Sequence, residues 1–262
     1  MSDSRGTVWS RALMPDARDA TAMPSVLVLD GTIAAQPWRI LAVRPNPEAR
    51  FARARGGELG LDEALALADA LHAAPADAAI LAVVDTPGQP YGLREESAGL
   101  HVAFGSAVEA AIARRSAGGP LFALVVGKAI SGAFLTHGLQ AGWIGALDDP
   151  GIEVHVMSAA SVARITRETP AEVARVAAIV PATARDIRTF ARSGAVDALF
   201  AVRDPLAPDA DELARVRTAL ASARNAGAGL RPPLARLAAD GAQTTRAAAL
   251  RVRAHIAEQW NA

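Results

Sequence analysis

A chain of 262 residues, 51% hydrophobic but only 4% aromatic, can bury a large core of small side chains, and its length suits one large α/β domain or two small ones. Its 27 basic and 27 acidic residues cancel to a net charge of +0, which excludes the broad basic field of non-specific nucleic-acid binding, and the lack of cysteine excludes disulfides, thiolate nucleophiles and cysteine-held metal sites. No apolar run is long enough to span a bilayer, and Asp3, Arg5, Arg11, Asp16, Arg18 and Asp19 interrupt the start where a signal peptide would need an apolar stretch, so a cytoplasmic protein with no membrane contact is expected.

In chain order, residues 1–24 read as a flexible N-terminal extension and residues 25–262 as a single domain. SVLVLD (25–30) and RILAVR (39–44) read as strands around a turn, and the polar stretch 45–60 as a loop. Residues 61–73 place Leu61, Leu65, Ala68 and Leu71 at helical spacing, with Asp62 and Glu63 in the first turn, where the helix dipole favours acids. AILAVV (79–84) is a continuous apolar run, as a strand buried on both faces would be, and DTPG breaks it. A helix is expected over 94–115 until Gly118-Gly119-Pro120 stops it, then a buried strand, LFALVV (121–126).

Residues 127–130 read as a turn and 131–141 as a helix. Strands are expected at 143–147 and 153–157, and helices at 158–167, 170–178, 182–193 and 207–224. A partly exposed helical region over 230–262 closes the chain. Short buried strands alternating with helices predict an α/β fold with a mainly parallel sheet and C-terminal helices.

Two segments leave buried strands where α/β proteins place ligand loops. The first, DTPGQPYGLREE (85–96), holds the chain's single tyrosine, Tyr91. Gly88 and Gly92 permit unusual backbone angles there, and Pro87 and Pro90 stiffen it. DTPG also fits the DxxG turn of a GTPase, but no phosphate loop precedes it. A plain strand-to-helix connection remains open.

The second segment, GKAISGAFLTHG (127–138), opens a helix that Ser131 can cap. The Gly132 and Ala133 amides then lack intrahelical partners and point from the positive helix end, an arrangement suited to an oxyanion. Close helix–strand packing through small residues explains the same sequence equally well. His137 is a candidate acid or base, or a structural hydrogen-bonding residue. Arg185, Arg188 and Arg192 form a basic helical stripe, either a solvated face or a surface for an acidic carrier protein.

Together the two segments resemble the carboxyltransferase branch of the crotonase-like superfamily. DTPGQPYGLREE is similar to its D-x-P-G…G…E-E loop, and GKAISGAF to its K-A-x-G-G-A-[YF] turn. From residue 126 to 169, VGKAISGAFLTHGLQAGWIGALDDPGIEVHVMSAASVARITRET resembles malonate decarboxylase gamma subunits, and the similarity extends over about 50–202. Ser131 stands where many carboxyltransferases have glycine.

The resemblance implies a crotonase-like fold and pairing with a homologous beta subunit as a heterodimer or heterotetramer. The pair would decarboxylate malonyl thioester on an acyl-carrier protein to acetyl thioester and CO2, in a complex with an acyl-carrier transferase subunit. It implies no cofactor and no metal on this chain; the substrate would ride on the carrier's phosphopantetheine-type arm, a dephospho-CoA derivative. Gly132 and Ala133 match the oxyanion pair, with His137 and Tyr91 as proton-donor candidates. Gly88, Gly92, Gly127, Lys128 and Ser131 would contact substrate. Two alternatives are a biotin-dependent malonyl-thioester carboxyltransferase subunit and a non-catalytic scaffold; an independent serine hydrolase lacks its G-x-S-x-G elbow.

Overall fold

The computed structural model describes residues 4–180, 183–233, 235 and 243–260. The first element is helix α1 (Arg5–Leu13), followed by the short strand β1 (Arg18–Asp19). Residues 5–19 are therefore not a flexible extension. Ser4 caps α1 by accepting from the Thr7 amide, Trp9 is wholly buried, and its Nε1 donates to the Pro205 carbonyl at 2.9 Å. The burial of one large aromatic anchors a segment whose many charges suggested exposure.

Strands β2 (Val26–Ile33) and β3 (Gln36–Val43) form an antiparallel hairpin, and β1 adds antiparallel to β2. From β3 onward the pairing turns parallel, through β4 (Ala79–Thr86), β5 (Leu121–Ile130), β6 (Trp143–Asp148) and β8 (Ala198–Ala201). The two-residue β7 (Val154–His155) pairs with the end of β5. The sheet is thus mainly parallel, and its central strands are buried almost throughout, matching their continuous apolar runs.

Helices α2 (Leu61–His72) and α4 (Leu100–Ser116) pack against each other over β3–β5. Helices α1 and α9 (Ala210–Asn225) also pack on the sheet, which alongside carries the aromatic row Trp38, Phe122 and Trp143, with ring centroids 4.9 and 6.2 Å apart.

Several elements differ from expectation. The helix expected over 94–115 is two, α3 (Leu93–Ser97) and α4, because Gly99 takes a φ of +91° and breaks the helical run. The turn expected at 127–130 is the far end of β5. Val84 pairs with Val125 and Thr86 with Ala129, so β5 carries two more residues than β4 between these rungs. The Asp85 carboxylate fills the resulting gap, accepting from the Lys128 amide at 3.2 Å and the Gly6 amide at 3.3 Å.

Strand β8 is an addition: four residues at the sheet edge, of which only Phe200 is buried, leave a weak pattern. The helix expected at 182–193 is reduced to α8 (Ile187–Phe190) and a wide turn in which Gly194 has a φ of +80°; Ala182 lies outside the described residues. Between these elements, β7 leads into α6 (Ala159–Thr166) and α7 (Pro170–Ile179), both expected. In the C-terminal region the described residues form a short 3-10 turn, Ala228–Leu230, and α10 (Gln243–Trp260). No helix of the described residues is long and apolar enough to cross a membrane.

Candidate functional site

The bulge around Asp85 makes both segments leave the sheet side by side. They line one cleft of about 490 Å3, with Pro87, Gly88, Gln89 and Tyr91 from the first and Lys128, Ile130 and Ser131 from the second. The polar loop 45–60 closes a third side, because Leu59 N donates to Gly88 O at 2.9 Å and Thr86 Oγ1 donates to both Gly57 O and Gly88 O. Those bonds bring in Arg53 and Glu58. Helix α6 and its cap supply the fourth side, with Ser158, Ser161 and Arg164.

The helix after β5 is α5 (Ser131–His137). Ser131 does not cap it. Ile130 holds the cap position, Ser131 has a φ of +64°, and its hydroxyl donates to the Val156 carbonyl at 3.0 Å. A left-handed serine costs about 1–2 kcal/mol, and the Val156 bond offsets part of that. This is the position where glycine is common in the resembled motif, and the backbone explains why.

Gly132 and Ala133 occupy the first turn of α5, where amides lack intrahelical acceptors. Ala133 is wholly buried. Gly132 is half-buried beneath Gln89: a Cβ on Gly132 would lie 2.1 Å from Gln89 Oε1 and 3.2 Å from the Phe104 ring. That Gln89 oxygen is buried and accepts no hydrogen bond. Leaving such a group unpaired costs about 1–3 kcal/mol, so little holds the side chain in this position.

The other predicted site residues divide. Gly88, Lys128, Ser131 and Tyr91 line the cleft. Gly88 has a φ of +136°, which only glycine accepts readily. Gly127 is buried instead, and a Cβ there would lie 2.0 Å from Asp85 Oδ1, so this glycine makes room for the carboxylate in the bulge. Gly92 precedes α3 and packs under Glu95 rather than against the cleft. The basic stripe is engaged within the chain: Arg188 pairs with Asp148 at 2.6 Å, Arg185 donates to the Met157 carbonyl, and Arg192 donates to Thr189 Oγ1 at 2.8 Å.

His137 does not reach the cleft. It is buried on the opposite face of α5, among Leu41, Leu67, Leu71 and Ile80, and its Nε2 donates to Val83 O at 3.3 Å. Burial pushes its pKa down to about 4, against the opposing effect of the Val83 and Leu41 carbonyls. Between pH 6.5 and about 4 the unfolded chain therefore takes up a proton that the folded chain refuses. Stability is complete above pH 6.5 and falls as pH drops to about 4, by about 3 kcal/mol from this residue. Urea midpoints of wild type and His137→Met across that window should show the smaller pH slope in the variant; equal slopes would refute the assignment.

Tyr91 is 55% exposed, and the Arg53 guanidinium lies 4.1 Å from its ring centroid. Hydrogen bonding from Arg53, then from Arg164 and Ser161, holds its phenol below the ordinary tyrosine pKa. Arg53 itself is paired with Glu58 at 2.6 Å, which raises its own pKa. Sequence reasoning missed Arg53, Gln89, Ser161 and Arg164 as cleft residues. Only Gln89 had a signal, its place in the first motif.

The fold is that of crotonase-like carboxyltransferase subunits: 84% of the chain superposes on 40% of a transcarboxylase 12S chain with a TM-score of 0.65 at 20% identity. The chain belongs to the malonate decarboxylase gamma subunit (MdcE) family, which matches residues 54–260. Two solved Pseudomonas structures bear this out. One chain of a malonate decarboxylase hetero-tetramer in complex with coenzyme A matches 98% of this chain over 100% of its own length at 42% identity and a TM-score of 0.88. An MdcD–MdcE hetero-dimer has the same coverage at 41% identity and a TM-score of 0.85. A Malonomonas rubra protein, malonyl-S-ACP:biotin-protein carboxyltransferase MADD, is 40% identical over 128 residues, 45% of this chain and 44% of the relative.

Proposed function

We propose that this chain is the gamma half of a two-subunit site that decarboxylates malonyl thioester carried on an acyl-carrier protein. One observation carries the reading: both motif segments line a single open cleft with large apolar side chains exposed beside its cations. Val156 and Ile165 are each 62% exposed there, and Leu93, two residues beyond Tyr91, is 84% exposed. Exposed apolar side chains of this kind mark a face that a second subunit covers. The hetero-dimer and hetero-tetramer of the Pseudomonas relatives support a homologous beta subunit as that partner. An acyl-carrier protein and its transferase are proposed as further partners, and the malonyl-S-ACP in the name of the Malonomonas relative supports the first of them.

In this reaction the bond from the α-carbon to the carboxylate breaks. CO2 leaves, the electron pair moves into the thioester as an enolate, and a proton then closes the α-carbon. The Gly132 and Ala133 amides, in the first turn of α5 next to the cleft residue Ser131, are the donors proposed for the charge that develops at the interface. Such preorganised donors are worth about 3–4 kcal/mol each in a transition state. Tyr91 is the better-placed proton donor of the two side chains considered, because its phenol is accessible and acidified, whereas His137 is enclosed in the core.

The name of the Malonomonas relative favours a second reading, transfer of the carboxyl to a biotin protein. The test is a co-purified beta–gamma complex supplied with malonyl carrier. CO2 release insensitive to avidin is the expected result. Avidin-sensitive turnover supports the biotin reading, and full turnover by the beta subunit alone makes this chain a scaffold.

A further inference from the structure

The cleft carries a charge that the chain as a whole does not. The net charge is +0, yet the cleft is lined by Arg53, Lys128 and Arg164 against one carboxylate, Glu58. Glu58 is engaged by Arg53. Among the described residues neither Lys128 nor Arg164 forms an ion pair with a carboxylate. Two cations without a carboxylate partner therefore line the cleft, Lys128 from β5 and Arg164 from α6, together with Tyr91 and Ser161.

We infer that Arg164 and Lys128 form a binding corner for a carboxylate, the free carboxylate of the malonyl group in the reaction proposed above, on which reading this inference rests. The chemistry selects that ligand. Arginine offers a planar fork that matches a carboxylate with two parallel hydrogen bonds, and lysine adds a point charge. Ser131 and Lys128 belong to one strand-to-helix segment and both line the cleft, so a carboxylate held at Lys128 lies on the segment that opens α5. The acetyl product lacks the carboxylate and has no partner for the two cations, which favours its release.

The experiment uses the beta–gamma complex with Arg164→Gln and Lys128→Met. Each variant should raise KM for malonyl carrier about tenfold, the effect of losing one charge-assisted hydrogen bond, while inhibition by acetyl carrier stays within about twofold. Equal weakening of both thioesters, or of neither, overturns the corner. Calorimetry of the same complexes with free malonate, and with acetate for comparison, reads the site without turnover. Malonate binding that depends on both cations supports the corner, even if the complex releases no CO2 and the activity reading fails. Malonate binding unchanged in the two variants overturns it.

Discussion

Replacing Gly132 with proline should lower turnover of malonyl carrier by the beta–gamma complex by about 100-fold or more, the effect of one lost oxyanion donor. Gly132 is the second residue of α5, where a helix tolerates proline because the N–H has no intrahelical use. The substitution removes a donor while leaving the helix its own hydrogen bonds. It also adds bulk where Gln89 Oε1 lies 2.1 Å from an ideal Cβ. Gly132→Ala supplies the control, since it displaces the same flexible side-chain end and keeps the amide. Alanine should cost no more than about tenfold, the range of a modest steric shift. Steady-state CO2 release, with assembly checked by gel filtration, distinguishes the two. Equal losses in proline and alanine variants would make Gly132 a packing residue, and near-normal turnover in the proline variant would remove the amide from the mechanism.

The second large effect concerns stability and lies far from the cleft. Arg39 sits in β3 with its side chain 6% exposed, and it grips Asp30 of β2 with Nε to Oδ1 at 2.6 Å and Nη2 to Oδ2 at 2.8 Å. Its Nη1 donates to the Ala70 carbonyl at 2.8 Å, tying the hairpin to α2. Asp30→Ala strands a buried guanidinium and should cost about 3–5 kcal/mol in denaturant unfolding. Asp30→Leu with Arg39→Met should recover much of that, because a buried ion pair is often replaceable by apolar groups of similar size. A loss below about 1 kcal/mol for the single variant would mean that solvent screens the pair. The hydrogen bonds from Arg39 hold the Asp30 pKa below 3.8, so the pair's contribution is present above pH 3.8 and fades as pH falls through the lower folded value.

Several features were legible because they depend on local chemistry. AILAVV and LFALVV are apolar throughout, and strands buried on both faces of a parallel sheet need that composition. The acids in the first turn of α2 and the glycine-rich breaks gave its position. Other features were not legible, for physical reasons that can be named. Nothing in RGTVWSRAL discloses that Trp9 reaches a buried site beneath residue 205, because burial there depends on a partner almost 200 residues away. His137 and Ser131 share one short helix, but only the packing of α5 on β4 decides that the histidine faces the core and the serine the cleft.

The segment VGKAISGAFL by itself allows an oxyanion site or tight packing, and the structure divides those roles along it. Gly127 serves packing, because the Asp85 carboxylate fills the bulge beside it. Ser131 and Lys128 face the cleft. Hydrophobic runs a few residues long determined the α/β class, and the residues of the two motif segments carried the family resemblance. Tertiary structure alone decided which residues of each segment reach the cleft, and it added Arg53 and Arg164 from outside both segments. Which face of an element meets solvent is set by what packs on its other side, and that is a property of the whole chain.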